Sequence, residues 1–155
     1  MQQSIELFAT QLISISLPKT PLNCQLDGGH LVVQPRRNIS DRIDCSEREA
    51  IELMAASMLA ARAMYSVLKV EKVNYQEMGN WSLDATEPAK LHIHIFGRQR
   101  QQRYQQRGES IRFFPAGHNI YSEVYQGHNP TQIGDLISAM QSIVKQAPFA
   151  QLFSI

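Results

Sequence analysis

The stretch Leu91-His92-Ile93-His94-Ile95-Phe96-Gly97-Arg98 carries the residues best suited to chemistry. Its start alternates strictly, with Leu91, Ile93 and Ile95 set against His92 and His94. Side chains of a strand point to its two faces in turn, so both imidazoles project from one face, about 7 Å apart at Cβ, and the aliphatic side chains from the other. Three readings are open for such a pair. It can be no more than the polar side of a sheet. It can supply two ligands to zinc, which needs a third and usually a fourth; His30, His118 and His128 are present, but at no diagnostic spacing. Or one neutral imidazole can attack phosphorus and form a phosphoramidate, dividing one hard displacement into two easier ones. The second imidazole then binds phosphoryl oxygens or helps the leaving group depart. This last chemistry needs donors for phosphate oxygens, and Asn74, Asn80, Arg36 and Arg98 are available.

A reactive pair needs a rigid support, and the flanking sequence predicts one. Leu12 to Leu17 alternates as a strand, broken by Pro18 and Pro21. Asp27-Gly28-Gly29 is a turn signal leading into the β-branched run His30–Gln34, which Pro35 ends. His30 reads as a strand-entry residue rather than a ligand. Ser46-Glu47-Arg48-Glu49 has the form of a capping box. From there to Leu68 no Gly or Pro occurs, and Ile51, Met54, Met58, Ala61, Tyr65 and Leu68 recur at helical spacing. That predicts one amphipathic helix of roughly twenty residues with its methionines in the core. Val70–Met78 reads as a further strand closed by Gly79-Asn80, and Trp81–Lys90 as a loop, with Trp81 in the core or anchoring the hairpin. The histidine strand then pairs antiparallel with Val70–Met78. Ile111–Phe114 adds a short extended segment. Asn129-Pro130 looks like an N-cap and first helical residue, opening a final helix through Ile133, Leu136, Ile137, Met140, Ile143 and Val144. The sum is an α+β chain, a mostly antiparallel sheet with helices on one face.

With 155 residues, a single domain over 1–155 is expected, large enough to bury a core unaided. A net charge of +1 gives no bulk attraction to nucleic acid or an anionic membrane, so neither is expected as a partner. Residues 98–110, rich in Arg and Gln and lacking aliphatic side chains before Ile111, read as a flexible loop. Cys24 and Cys45 lack metal spacing and read as reduced thiols. No signal peptide and no run long enough to cross a membrane are expected, which points to the cytoplasm. No metal and no cofactor are expected.

Taken in order, several pieces resemble the histidine-triad family. They are Gly29-His30-Leu31-Val32-Val33-Gln34-Pro35-Arg36-Arg37, the capped helix, Val73-Asn74-Tyr75, Gly79-Asn80-Trp81, His92-Ile93-His94 and Gly97-Arg98. Within that family the chain resembles bacterial histidine-triad-like proteins with a Gly-Asn-Trp segment and a long insertion before the histidine strand. The resemblance implies a sheet of about five antiparallel strands with one long helix and a C-terminal helix, commonly paired as a homodimer. It implies a nucleotide or nucleotide conjugate as ligand, attacked at its α-phosphate by a histidine. The family motif is His-φ-His-φ-His-φ-φ, where φ is apolar. On this chain its middle histidine is His92, which would form the nucleotidyl intermediate, and its third is His94, at the phosphate oxygens or the bridging atom. Asn74 and Asn80 would line the phosphate and ribose side, with Arg98 and Arg36 as further donors. The first histidine falls on Lys90, which has three donors and no acceptor and can hold a phosphate but cannot replace a neutral imidazole. Asn38 stands where a histidine often follows the basic pair, and Trp81–Ala89 stands in place of the usual Gly-Gln-Ser run. The implied activities are nucleoside phosphoramidase, dinucleoside polyphosphate hydrolase or nucleotidyl transferase. The alternative is a catalytically impaired nucleotide-binding or interaction module of the same fold.

Overall fold

In the computed structural model, which describes residues 4–87, 89–125 and 127–153, the alternating runs become strands of one sheet. These are β1 (Ile5–Ala9), β2 (Ile13–Leu17), β3 (His30–Pro35), β4 (Lys72–Glu77) and β5 (Ile93–Arg98). Their spatial order is β1-β2-β3-β5-β4 and every neighbouring pair is antiparallel. The histidine strand is therefore central, flanked by β3 and β4, where both edges of its backbone are hydrogen-bonded and its side chains are held in register. His94 stands opposite Val32 on one side and Gln76 on the other.

One face of the sheet is aliphatic. Ile13, Ile15, Leu31, Val33 and Ile95 are completely buried and Ile93 nearly so. Against this face lies α1 (Glu47–Ala63), extended by a π-helical turn over Met64–Leu68. The capping box forms as the sequence predicts: Ser46 Oγ accepts from the Glu49 N–H at 3.2 Å, and the Glu49 carboxylate accepts from the Ser46 N–H at 2.8 Å. The turn ends at Lys69, whose φ of 55° is left-handed. Two further helices, α2 (Pro130–Ile143) and α3 (Phe149–Leu152), complete this layer. Leu136, Met140 and Phe149 are fully buried in it.

Several expectations change. The core stripe of α1 is rotated from the one predicted. Ala56, Leu59, Ala60, Ala63 and Met64 are fully buried, whereas Ile51, Met54 and Tyr65 are exposed. A helix this apolar offers several overlapping stripes at spacings of three and four, and the alanines win because they let the helix approach the sheet closely. With its π turn the helix spans 22 residues and is long and apolar enough to cross a bilayer, contrary to the expectation of no such run; more than half of it is buried inside the fold. Trp81 is exposed rather than anchoring a hairpin, in a turn over Asn80–Ser82. Residues 111–114 form no strand. Beyond Arg98 the Arg/Gln-rich loop carries no helix or strand, and it is tied down at two points described below.

Candidate active site

Imidazole nitrogens can only be assigned through their partners, and here the partners form a chain. The Leu22 N–H donates to His30 Nδ1 at 3.1 Å, so that nitrogen carries the lone pair. The proton of a neutral His30 is then on Nε2, which donates to His94 Nδ1 at 2.9 Å. His94 in turn must hold its proton on Nε2, which is left as a donor. Separately, His92 Nδ1 donates to the Lys90 carbonyl oxygen at 2.6 Å, so the lone pair of a neutral His92 lies on Nε2. The rings of His92 and His94 are 4.6 Å apart, edge to face. One backbone amide and one backbone carbonyl thus set up a free nucleophilic nitrogen beside a free donor.

Burial keeps the two inner rings neutral. Desolvation pushes the His30 imidazole well below its usual range, and the neighbouring histidines push the same way. His94 falls to about 4, first through burial and then through His92. Phe96, fully buried, stacks on both: its ring is 4.5 Å from His30 and 5.5 Å from His94. His92 is only partly buried and remains accessible.

Glycine places His30 within reach. Gly28 and Gly29 have φ of 121° and 78°, which L side chains rarely adopt. The turn also presses on β5: a Cβ on Gly97 would lie 2.1 Å from the Gly28 carbonyl oxygen. The Asn23 amide fastens the contact, donating to the Gly29 and Gly97 carbonyls at 3.3 and 3.0 Å.

The structure brings together His92 and His94, with the backbone of Lys90 as the former's anchor; the Lys90 side chain is exposed. Asn80 is exposed in the turn after β4. Arg98 and Asn74 share the histidine face but lie further along the sheet, bonded to each other through Nη1 and Oδ1 at 3.0 Å. Arg98 also donates to the Glu109 and Gln106 carbonyls and to Gln102 Oε1, so it organises the Arg/Gln-rich loop rather than touching the imidazoles. Burial lowers its pKa, with Asp27 opposing. The second anchor of that loop is Asp27, whose carboxylate accepts from the backbone N–H groups of Arg103, Tyr104 and Gln105 at 2.5, 2.8 and 3.0 Å. Arg36 is engaged elsewhere, with the Glu6 carboxylate and the Thr10 carbonyl.

Three participants escape the sequence reading. His30 does enter a strand, and it also orients His94; only the pairing register reveals that the first residue of β3 faces β5 at Phe96. Phe96 supplies the stacking surface. Gln76 stands opposite His94, with a buried Oε1 that has no partner among the described residues. Among those residues no group of three or more His, Cys, Asp or Glu side chains could hold a metal ion.

No family model and no curated protein sequence matches the chain. Solved structures do match its fold. A hypothetical histidine triad nucleotide-binding protein from Sulfolobus tokodaii superposes with a TM-score of 0.62 at 12% identity, covering 94% of this chain and 89% of the other. A histidine triad protein from Bradyrhizobium japonicum gives 0.58 at 20% identity, with 90% of each chain covered. One from Marinobacter aquaeolei gives 0.59 at 17% identity, covering 93% and 90%. With His94 on an inner strand and His92 immediately before it, a five-stranded antiparallel sheet backed by a long helix, and these superpositions, the chain has the histidine-triad-like fold.

Proposed function

We propose that the chain binds a nucleotide conjugate and transfers its nucleotidyl group through His92. The observation that carries this reading is the pair of fixed tautomers, with a lone pair on His92 Nε2 beside a proton on His94 Nε2. In the first step His92 Nε2 forms a bond to the α-phosphorus while the bond from phosphorus to the leaving atom breaks, and that atom departs with its electron pair. His94 Nε2–H donates to a phosphoryl oxygen or to the departing atom. In the second step water, or another acceptor, attacks phosphorus, the P–N bond breaks and His92 is regenerated. Lys90 precedes His92 by two residues and supplies positive charge for the phosphate, and Gln76 stands opposite His94 in the register. One fold neighbour, the Sulfolobus tokodaii protein, has nucleotide binding in its name, which supports the substrate class.

The test is a single-turnover reaction with a nucleoside phosphoramidate, quenched and searched for nucleotide bound to histidine. A nucleotidyl adduct on His92 in the wild type, absent from His92→Gln, is the expected result. A second reading, nucleotide binding without turnover, is favoured by one observation: Lys90, in the place of the first histidine, is exposed and offers no acceptor. Saturable binding with neither adduct nor product would establish that reading instead.

The same proposal includes a homodimer and a cytoplasmic setting. β4 is an edge strand, and Tyr75, Met54 and Tyr65 present exposed apolar surface along it and α1. A second copy covering this surface would show as a dimer in sedimentation, lost in Tyr75→Lys. Two free thiols, Cys24 and Cys45, suit a reducing compartment.

A further inference from the structure

Beyond the Arg/Gln-rich loop, the chain at residues 112–114 is irregular yet firmly held. The Gln105 side chain, 4% exposed, takes both main-chain polar groups of Arg112. Its Oε1 accepts from the Arg112 N–H at 2.8 Å, and its Nε2 donates to the Arg112 carbonyl at 3.3 Å and to Tyr125 Oη at 3.0 Å. A backbone N–H can only donate, so the orientation of this amide is fixed. Gln105 is itself held by Asp27 through its own N–H. The Tyr121 hydroxyl does the same for Phe114, accepting from its N–H at 2.8 Å and donating to its carbonyl at 3.0 Å. The Arg112 guanidinium is occupied too, lying over the Phe114 ring 5.0 Å from its centre.

Phe113 lies between these two clamps. Its ring centre is 6.1 Å from that of Phe96, with the planes inclined at 58°. Phe96 stacks in turn on His94, with the planes only 7° apart. His94, Phe96 and Phe113 therefore form a row of rings on the histidine face, and Phe113, 40% exposed, is its open end. The exposed aromatic side chains among the described residues are Tyr65, Tyr75, Trp81 and Phe113, and of these Phe113 is the one in ring contact with the row. Leaving a large apolar ring partly in water forgoes hydrophobic stabilisation. Fixing its backbone from both sides adds an ordering cost. Both costs are recovered when a planar ligand meets a ring that is already in place.

The spacing suits a nucleotide. Strand residues rise about 3.3 Å each, so Phe96 stands about 7 Å beyond His94. A nucleotide held by its α-phosphorus at His92 carries its base one ribose away, a length of the same order. Its polarity runs the same way, from charged phosphate to flat base, as the face runs from imidazole to bare phenyl ring.

We propose that Phe113 is the stacking platform for the base of the nucleotide whose phosphorus His92 attacks. This inference rests on the reading of the histidine pair given above. Stacking uses the π face that every base possesses, and Phe113 makes it away from the bond that breaks.

The experiment is a calorimetric titration of the whole chain with adenosine 5′-monophosphate, and in parallel with ribose 5-phosphate, the same ligand without its base. Phe113→Leu keeps an apolar side chain against Phe96 and removes the π face, whereas Phe113→Tyr keeps the ring. Phe113→Leu should bind adenosine 5′-monophosphate about tenfold more weakly, and Phe113→Tyr should bind it as the wild type does. Ribose 5-phosphate should bind all three alike. The ultraviolet absorbance of the base should fall on binding to the wild type and hold steady with Phe113→Leu. Equal affinity of the wild type and Phe113→Leu for the nucleotide overturns the platform and leaves the nucleotide reading standing. An equal loss for both ligands in Phe113→Leu also overturns it, since it would mark a purely structural role. No binding of the nucleotide by the wild type removes the platform together with the reading beneath it.

Discussion

The two faces of the same sheet are built on opposite principles. Along β5 the residues alternate between Ile93 and Ile95 on one side and His94 and Phe96 on the other. The aliphatic side meets α1 in close packing that is non-directional, and each buried side chain has many neighbours to share its loss. The histidine side is held by a few directional bonds in series, where each fixes the tautomer of the next. Damage to the first face should therefore register as stability, and damage to the second as rate. The contrast teaches where this protein can tolerate change: broadly in the packing, hardly at all at His30 and His94.

The largest expected effect breaks the second face at its reactive atom. His92→Gln should lower turnover of a nucleoside phosphoramidate about a thousandfold or more, while the urea midpoint stays near that of wild type, since His92 is only partly buried. Next comes the first face. Leu59 is completely buried against the sheet, and Leu59→Ala should cost about 2–5 kcal/mol in equilibrium unfolding. The rate of the fraction that remains folded should be unaltered. A smaller effect is expected from His30→Phe, which removes the donor that sets the His94 tautomer. Turnover should fall about a hundredfold, with the phosphate-binding step retained. If Leu59→Ala slows the folded enzyme, or His30→Phe leaves the rate untouched, the division between the faces fails.

The smallest and most graded effect is with pH. The folded His94 takes up its proton near 4, against 6.5 for an unperturbed imidazole. Between these values the unfolded chain binds the proton and the folded chain does not, so stability is full above about 6.5 and declines as pH falls towards 4. His30 acts in the same direction. Glu49, held at about 2 chiefly by Arg37, contributes its own loss only below 4.5, where a free glutamate takes up its proton. Urea midpoints at stepwise pH between 7.5 and 4.5 should therefore fall, with a shallower slope in His94→Gln. A flat profile in the wild type would show that the histidine face is not dry.

Much of this arrangement was legible in the sequence, for physical reasons. The period of two in β5 and the capping box at Ser46 are local patterns, and both are found as expected. The pairing of β4 with β5 followed from their alternation and the intervening Gly79-Asn80. What remained hidden depends on contacts between distant segments. The buried stripe of α1 is chosen by how near the sheet comes, which no helical spacing records. Arg98 lies just beyond the histidines, and its two terminal nitrogens are engaged by carbonyls 8 and 11 residues further on and by Asn74 and Gln102, a set of contacts that needs the fold of the loop. The role of His30 needed the register of β3 on β5, and the place of Phe113 needed its ring contact with Phe96.

The anchoring of the Arg/Gln-rich loop has one more consequence. Asp27 grips that loop only through main-chain N–H groups of three successive residues, 103 to 105. Main-chain donors are common to every amino acid except proline. At Arg103, whose exposed side chain plays no part in this grip, replacements other than proline leave the loop's path intact, whereas Tyr104 also packs its ring against Tyr125. What the loop displays to a visiting molecule can thus be rewritten while its route past the sheet is conserved, much as a fixed socket accepts interchangeable fittings.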